Sequence, residues 1–546
     1  MTLHSNAQYR RGRSASAMRS LWLGVSTTAL LALPLAAGSD IPLEAPMARI
    51  GHFETANMLP RDTVSVQIGT HQTGFDTGGG TGNQTYYGAL EWAADDNLTL
   101  GFGALVQEDS NNEPIAGITT AIRFVSAALT AKYQFIDRAA FDVAAVASVE
   151  SLEFDTALFG TNVSGATNVI GSVHVPITYQ ASPRLQFHVT PGVSVFPDDL
   201  NGIAYYGTVA SLGVGATWQA SQRLQVYGTL NQPLSGGNTI DTNRDITEVL
   251  VYTFGGRYNF TPKVALEAYV TNGVGTTPAT NILTFWPDGD EPLFGLKLHY
   301  TPAVDLPDSY RPGRAPTLTA RDRQLQQDGF ILSTASVLSP GDIRVTASGG
   351  TDDNYAAALA ISPDRDFQID ALVEEHALDG SVPTTLDPTP GSARWALGGR
   401  IRVLDQNAGD PVSLSLRVLG GRDLDDIGNG ALYAAVPVTY EVNDRLAVTG
   451  QLGLGAFGNA EIIAGGIGAN FEVFEGLQLI GETSVVSEGS SPVWAAGARY
   501  TPDNGIYSVD LSATNSIARH GYGSLVAQDE TRFAVGVSVS TSIFGN

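Results

Sequence analysis

Short segments in which apolar and polar residues alternate follow one another along almost the whole chain. The segment 217–230 reads TWQASQRLQVYGTL, and after its Arg223 apolar side chains occupy every second position, with polar or small ones between them. A period of two with one apolar face is the pattern of a half-buried β-strand. Near copies stand at 178–191 (TYQASPRLQFHVTP) and at 439–452 (TYEVNDRLAVTGQL). Three copies of one phrase indicate a repeated structural module, the corner of a hairpin, rather than a catalytic motif.

The alternation predicts twenty-four strands in two sets of twelve. In the first set the strand centres lie near residues 66, 89, 102, 127, 145, 174, 190, 212, 228, 254, 268 and 296. In the second set they lie near 345, 357, 370, 398, 416, 435, 450, 466, 481, 496, 510 and 537. Every second connection is very short, as at 137–138 and 443–444, and those between are mostly long, polar and often rich in glycine, as at 74–85. This alternation of turns and loops is typical of an antiparallel, up-and-down membrane β-barrel.

Aromatic residues recur at one level of the predicted strands. Nine of them stand immediately before a short turn or before the long connection near residue 302: Trp92, Tyr133, Tyr179, Trp218, Tyr258, Tyr300, Tyr440, Phe471 and Tyr500. In the folded chain such residues would form a ring at one end of the strands. A girdle of this kind marks the interface between lipid and water.

The chain is also internally duplicated. The phrase TANMLPRDTVSVQIG at 55–69 returns as TASVLSPGDIRVTASG at 334–349. VPITYQASPRLQFHV at 175–189 returns as VPVTYEVNDRLAVTG at 436–450, and the order of the copies is preserved. The repeating unit is therefore one set of twelve strands.

Strand pattern, girdle and export signal together resemble bacterial outer-membrane β-barrel proteins of uncharacterised, porin-like type. The N-terminus agrees with export, because Arg10, Arg11, Arg13 and Arg19 precede an apolar run at 21–35 that ends in small residues, the layout of a cleaved signal. The resemblance implies the bacterial outer membrane as location, with outer-membrane lipids and, during insertion, the barrel-assembly machinery as partners. The terminal strand departs slightly from the group, because Phe544 is followed by two further residues.

Twelve strands can close alone, and so can twenty-four. The join between the halves, about forty residues long, favours two tandem barrels, because a continuous sheet would need only a tight turn there. The inward positions look poor in charge, which suits a narrow lumen. The predicted organisation is a signal peptide at 1–38, a first barrel with its lead-in at 39–302, a periplasmic linker at 303–341 and a second barrel at 342–546, with one 24-stranded barrel as the alternative.

Composition narrows the function. Residues 1–38 hold four of the 30 basic residues and none of the 55 acidic ones, so the mature chain has a formal charge of −29. Such a charge disfavours nucleic acid and favours cations. The chain has no cysteine, which excludes disulfides and thiolate metal sites. We see no separate periplasmic domain and no N-terminal plug of useful size.

Four short motifs contain residue types that occur in catalytic or ligand-binding sites. We assign none of them as a catalytic, cofactor-binding or metal site. Asp76-Thr77-Gly78 occurs once, whereas aspartic proteases need two such carboxylates. Gly78–Gly82 lacks the Lys-Ser/Thr of a phosphate loop. Glu374-Glu375-His376 would point to alternate faces of a strand. Asp423, Asp425 and Asp426, followed by Gly428-Asn429-Gly430, have oxygen ligands suited to Ca²⁺ but lack the twelve-residue spacing; a weak cation site and a plain loop both stay open.

The function expected from these observations is passive, porin-like passage of small solutes or ions, with a preference for cations set by acidic loops. The alternative is a structural or surface-interaction protein whose barrels are plugged by their own side chains. An outer-membrane enzyme comes third, because no Ser/His/Asp set can be assembled from the spacing of the eight histidines. No cofactor is expected.

Overall fold

The structure, a computed structural model, describes residues 47–546 with gaps. The residues left undescribed within that range are 74–83, 110–113, 119–121, 161–165, 303–309, 311–317, 352–353, 377–379, 426–428, 459, 490, 503–504 and 543–546. The predicted signal peptide and the motifs Asp76-Thr77-Gly78 and Gly78–Gly82 lie outside the described residues.

The first twelve strands close into an antiparallel barrel. They are Val64–Thr73, Gln84–Ala93, Leu98–Asp109, Ile122–Ile136, Phe141–Asp155, Ala166–His174 continued by Ile177–Ser182, Leu185–Val195, Thr208–Gln219, Leu224–Ser235, Val251–Asn259, Val264–Thr271 and Leu293–Tyr300. The twelfth strand pairs with the first, Leu293 opposite Thr73 and Tyr300 opposite Val66. The sixth strand is interrupted at Pro176, which has no backbone N–H to give to a ladder.

The second twelve strands form a closed barrel of their own. They are Asp342–Gly350, Tyr355–Asp364, Phe367–Glu375, Ala393–Leu404, Ser413–Asp423, Gly430–Asn443, Leu446–Phe457, Ala460–Phe474, Leu477–Val486, Val493–Tyr500, Tyr507–Ser516 and Ala527–Ser542. The closing register places Asp342 opposite Ser542 and Gly350 opposite Ala534. The prediction of two tandem 12-stranded barrels is confirmed, and all twenty-four predicted strand centres fall inside observed strands. The alternative of one 24-stranded barrel is wrong, because each half completes its own ladder.

The remaining elements are short. An α-helix spans Ala320–Leu325, and 3₁₀ turns span Ala157–Phe159, Thr280–Ile282, Gln406–Ala408 and Tyr522–Leu525. Two-residue ladders join Arg49–Ile50 to Phe53–Glu54, Asp199–Leu200 to Ile203–Ala204, and Thr239–Ile240 to Ile246–Thr247. Among the described residues, no helix has the length and apolar character needed to cross a membrane.

The outward faces of both barrels are apolar and the predicted girdle lies on them. Seven of its nine aromatics are exposed on the outside: Trp92, Tyr133, Tyr179, Trp218, Tyr440, Phe471 and Tyr500. Tyr258 and Tyr300 are the exceptions. Tyr300 meets the second barrel, where its ring lies 5.8 Å from that of Phe367. Tyr258 is buried and packs against Phe260, with 5.0 Å between ring centroids.

The inward faces correct one expectation. Along the ninth strand Gln225, Tyr227 and Thr229 are buried in the lumen, as the alternation predicts. The expectation that the inward faces are poor in charge is wrong, because many charged side chains are buried there. In the two barrels together they include Glu91, Lys132, Glu150, Glu267, Lys297, Arg344, Asp370, Arg400, Arg417, Arg499 and Asp510.

Because each ladder closes within its own half, the second half should fold without the first. We expect a chain of residues 319–546, refolded in detergent, to give a β-type circular dichroism spectrum and to migrate differently in gels when unheated and when boiled. A chain of residues 393–546, which lacks the first three strands of that barrel, is the control and should show no such shift. Failure of the 319–546 chain to refold would mean that closure depends on the first barrel.

Candidate functional site: the two barrel lumens

A short segment of the chain lies inside each barrel. In the first barrel it comprises residues 47–57, and Ile50, Thr55 and Ala56 have no exposed surface. In the second barrel it comprises residues 320–338, which include the α-helix and a buried run at Phe330–Leu332. We call these the first plug and the second plug. The expectation that no N-terminal plug is present is therefore wrong, because residues 47–57 are buried inside the first barrel and bonded to its wall. Residues 320–338 belong to the predicted linker, so this part of the connection fills a lumen as well as joining two barrels.

The two plugs are held by the same hydrogen bonds. Ala56 N–H donates to Thr178 Oγ1 at 2.9 Å, and Ala335 N–H donates to Thr439 Oγ1 at 3.0 Å. These four residues belong to the repeated phrases that begin Thr-Ala and Val-Pro. In each half, one of the two duplicated segments therefore lies in the plug and the other lies in the wall. The hydrogen bond that joins them is present in both barrels.

Two further contacts repeat around this one. The hydroxyl of Thr55 donates to the Met47 carbonyl (2.8 Å), and the hydroxyl of Thr334 donates to the Leu325 carbonyl (2.9 Å), so each plug is folded back on itself. On the seventh strand of each barrel, twelve residues after the wall threonine, a side chain bonds the plug residue that precedes Thr55 or Thr334. These bonds are Thr190 Oγ1 to Glu54 O (2.9 Å) and Ser333 N–H to Gln451 Oε1 (2.8 Å).

From the end of the barrel with the long connections, the last loop of each barrel folds inward. It starts at a repeated Thr-Asn pair that ends the eleventh strand. The carboxamides of Asn272 and Asn515 each accept a backbone N–H from the tenth strand at 2.8 Å. Each also donates to a carbonyl just before that strand, at 2.9 and 3.0 Å. The pair therefore fixes the direction in which the loop leaves the wall.

The inward loops come close to the plugs. In the first barrel Asn281 Nδ2 donates to the carbonyl of His52 in the plug, at 3.2 Å. The same loop gives the Ala279 N–H to Glu150 on the wall, at 2.7 Å. In the second barrel the guanidinium of Arg519 lies 5.5 Å from the ring centroid of Phe330 in the plug. Plug and loop thus occupy each lumen from opposite ends.

Glu267 is the centre of the polar network in the first lumen. Its side chain has no exposed surface and lies 3.1 Å from Lys297 Nζ and 2.6 Å from His299 Nε2. It accepts the Tyr227 hydroxyl at 2.5 Å and the Gly51 N–H of the plug at 3.1 Å. One buried carboxylate therefore ties three strands to the plug.

Asp328 is the centre of the polar network in the second lumen. Here the carboxylate belongs to the plug, and the guanidinium groups that bind it belong to the wall. Its carboxylate accepts from Arg400 Nη2 at 2.7 and 2.8 Å and from Arg417 Nη1 at 3.0 Å. Glu482 on the wall accepts the N–H groups of Phe330 and Ile331, both at 2.8 Å. In this lumen a carboxylate of the plug binds the wall, and a carboxylate of the wall binds the plug.

Little space is left within the described part of either lumen. The cavities bordered by both plug and wall include two in the first barrel, of about 10 Å³ beside Arg49 and His52 and about 20 Å³ beside His52 and Phe53, and one of about 60 Å³ in the second, beside Asp328. A cavity that holds one water has a volume of roughly 10–15 Å³. These spaces accommodate a few water molecules and no larger solute.

The motif Glu374-Glu375-His376 is brought partly together. Glu374 and His376 are buried on the inward side, and Glu374 accepts the backbone N–H of His520 at 3.1 Å. His376 Nδ1 lies 3.1 Å from Asp387. Burial, with Arg394 nearby, lowers the pKa of His376 to about 4, so its ring is neutral at neutral pH. These contacts hold His520 and Asp387, which lie in loops, against the wall.

The candidate cation site at Asp423 is engaged by protein groups. The hydroxyls of Thr389 and Ser392 both donate to the Asp423 carboxylate, and Arg394 Nε lies 3.5 Å from it. Asp425 N–H also donates to it, at 2.8 Å, and Asp426 lies outside the described residues. Among the described residues, no group of three His, Asp or Glu side chains is arranged to hold a metal ion.

Comparisons with known proteins identify no family. No protein-family model matches the sequence, and no curated protein matches it. Among solved structures, a KdgM porin matches at 7% identity and TM-score 0.28, over 43% of this chain and 98% of that chain. An outer-membrane channel from Pseudomonas putida F1 matches at 13% and 0.32, over 45% and 97%. Outer membrane phospholipase A from Escherichia coli matches at 11% and 0.27, over 44% and 97%. Likenesses this weak assign neither solute nor reaction to this chain.

The fold itself defines the class. Closed antiparallel barrels with apolar outer faces and an aromatic girdle at the end with the short turns are the architecture of bacterial outer-membrane proteins. The chain is an outer-membrane β-barrel protein with two barrels in tandem.

The network at Glu267 yields a stability prediction. Glu267→Gln leaves Lys297 buried without its carboxylate and should destabilise the first barrel by about 3–5 kcal/mol. The measurement is thermal or urea unfolding in detergent, with the exposed Glu488→Gln as a control that should change little. The double variant Glu267→Gln/Lys297→Met removes both charges and should recover more than half of the loss. No recovery would mean that the charge pair is not the source of the effect.

Proposed function

We propose that the protein provides porin-like passage for small solutes through lumens that its plugs open and close. The observation that carries this proposal is the repeated bond between plug and wall, Ala56 to Thr178 and Ala335 to Thr439. A single neutral hydrogen bond contributes only about 0.5–1.5 kcal/mol to stability. The plugs are also held by stronger, charge-assisted bonds at Glu267, Asp328 and Glu482, but all of these contacts can be exchanged for water without breaking a rung of the wall's ladder.

The polar character of both lumens supports this proposal. Around the plugs the inward faces carry amides, hydroxyls and charged groups, whereas farther along each lumen an apolar cluster is buried, with Phe154 and Trp286 in the first barrel and Phe457 and Tyr522 in the second. Once a plug withdraws, these groups can be hydrated, so an opened lumen has no need to refill with protein. The expectation that the protein is not an enzyme rests on the same reading of the site and stays a proposal.

A permanently plugged, structural barrel is the second candidate. It is favoured by the filled lumens, whose cavities between plug and wall hold only a few water molecules. In this case the plugs would be part of the core, and the long loops would contact partners outside the cell.

The predicted preference for cations draws on the acidic net charge of the chain and on its acidic loops, and it stays a prediction. The buried charges of the second barrel do not support it, because arginines and carboxylates are equally numerous among them. The reversal potential in a planar bilayer with unequal potassium chloride concentrations measures the preference directly.

The absence of native cysteine allows each plug to be locked by a new disulfide. We expect the wild-type protein to give small conductance steps in a planar bilayer. The pair Ala56→Cys/Thr178→Cys should remove the steps of the first barrel when oxidised, and Ala335→Cys/Thr439→Cys those of the second. A reducing agent should restore them, because it frees the plug. The single variants Ala56→Cys and Ala335→Cys are the matched controls.

Two outcomes oppose the proposal. Unchanged conductance in both oxidised pairs would place the solute path elsewhere. A silent wild type, with insertion verified by heat-dependent gel migration, would favour the structural candidate.

A further inference from the structure

Positive charge is concentrated around one cavity of the second lumen. The cavity, of about 60 Å³, is bordered by Asp328 of the plug and by side chains of the wall and the inward loop. Five guanidinium groups line it or reach the same carboxylate: Arg344, Arg400, Arg417, Arg499 and Arg519. We call these five residues the arginine cluster.

The wall supplies fewer carboxylates than this cluster has charges. Asp370 accepts from Arg417 at 2.9 Å, and Asp510 accepts from Arg519 at 2.6 Å and from Arg499 at 3.2 Å. The third carboxylate bonded to the cluster is Asp328, which belongs to the plug. If the plug withdraws, five arginines keep two carboxylate partners.

Other polar groups on this wall do not restore the balance. Arg344 donates to two neutral oxygens, Ser540 Oγ at 2.9 Å and the Gln326 carbonyl at 2.7 Å. The nearby Glu482 directs its carboxylate to backbone N–H groups of the plug, and when the plug withdraws it brings the wall carboxylates only to three against five arginines. One of the three carboxylates that compensate the cluster in the closed barrel, Asp328, therefore belongs to a segment that can leave.

Asp328 is bound as a free carboxylate would be. Nη2 of Arg400 donates to both of its oxygens, and Nη1 of Arg417 donates to one of them. Guanidinium groups bind carboxylates through such charge-assisted bonds. Donors also remain unused, because the Nε atoms of Arg400, Arg499 and Arg519 are buried without a hydrogen-bond partner among the described residues.

We propose that the arginine cluster is a binding site for small carboxylate solutes, and that Asp328 occupies it as a tethered carboxylate while the second barrel is closed. This inference rests on the proposed passage of solutes and names their chemical class in the second barrel. Solute and plug compete for the same guanidinium groups, so an arriving carboxylate replaces the bonds that the departing plug gives up.

Sulfate and phosphate share the oxyanion chemistry. We commit to carboxylates because the group in the site is one, with two oxygens in a plane facing guanidinium groups. The experiment below compares these anions directly.

The test removes the tethered carboxylate and offers a free one. Asp328→Asn in the full chain should unfold at a lower temperature than the wild type. Sodium acetate should raise its unfolding temperature by at least ~2 °C more than sodium chloride of equal ionic strength. The wild type should show no such difference, because Asp328 already fills the site. If the variant refolds poorly, the refolding yield with acetate against chloride is the readout.

Two control variants locate the effect. Asp328→Asn/Arg400→Gln should lose the response to acetate, and Asp328→Asn/Arg445→Gln, which removes an exposed arginine at a short turn, should keep it. A variant that acetate stabilises no better than chloride overturns the inference. Equal rescue by sulfate or phosphate overturns the restriction to carboxylates.

The bilayer measurements separate this inference from the function on which it rests. Rescue by acetate in a protein that never conducts would refute passage and leave the carboxylate site standing. Conductance controlled by the plug without rescue by acetate would refute the carboxylate site alone.

Discussion

The constraint on which the whole structure depends is that a backbone in hydrocarbon must pair all of its own N–H and C=O groups. Each unpaired group in lipid costs several kcal/mol, and an open sheet edge carries many. Each half therefore joins its twelfth strand to its first, at Leu293–Thr73 and at Asp342–Ser542. Closure at twelve strands in turn fixes lumens that a short plug and one inward loop can fill together.

Much of this fold could be predicted from the sequence, because lipid imposes a period of two on every strand. The alternation around Arg223 and the short turns gave the strands, and the length of the join near residue 302 gave two barrels. The girdle was correct where aromatics face lipid. It failed at Tyr300, because contact with Phe367 depends on how the two barrels meet, which no local pattern records.

The contents of the lumens were not predictable in the same way. An inward arginine such as Arg400 occupies an ordinary polar position of a strand, and its partner Asp328 lies 72 residues away. Gly51 and Glu267 are 216 residues apart. The plugs have no strand period of their own. The one feature of the sequence that marks the plugs is the duplicated Thr-Ala segment. It indicates a repeat but carries no information about a position inside the barrel.

The path of the backbone through the second plug has a consequence for movement. The segment begins at the end with the short turns, where Arg321 bonds Asn470 and Asn407 bonds Asp322, and it returns to that end at Gly341, which bonds Ser362. Between these points it goes in and comes back as a re-entrant loop. Such a loop can be withdrawn without threading the chain through the wall and without breaking any rung of the ladder. The barrel can therefore exchange its contents while its seam stays intact.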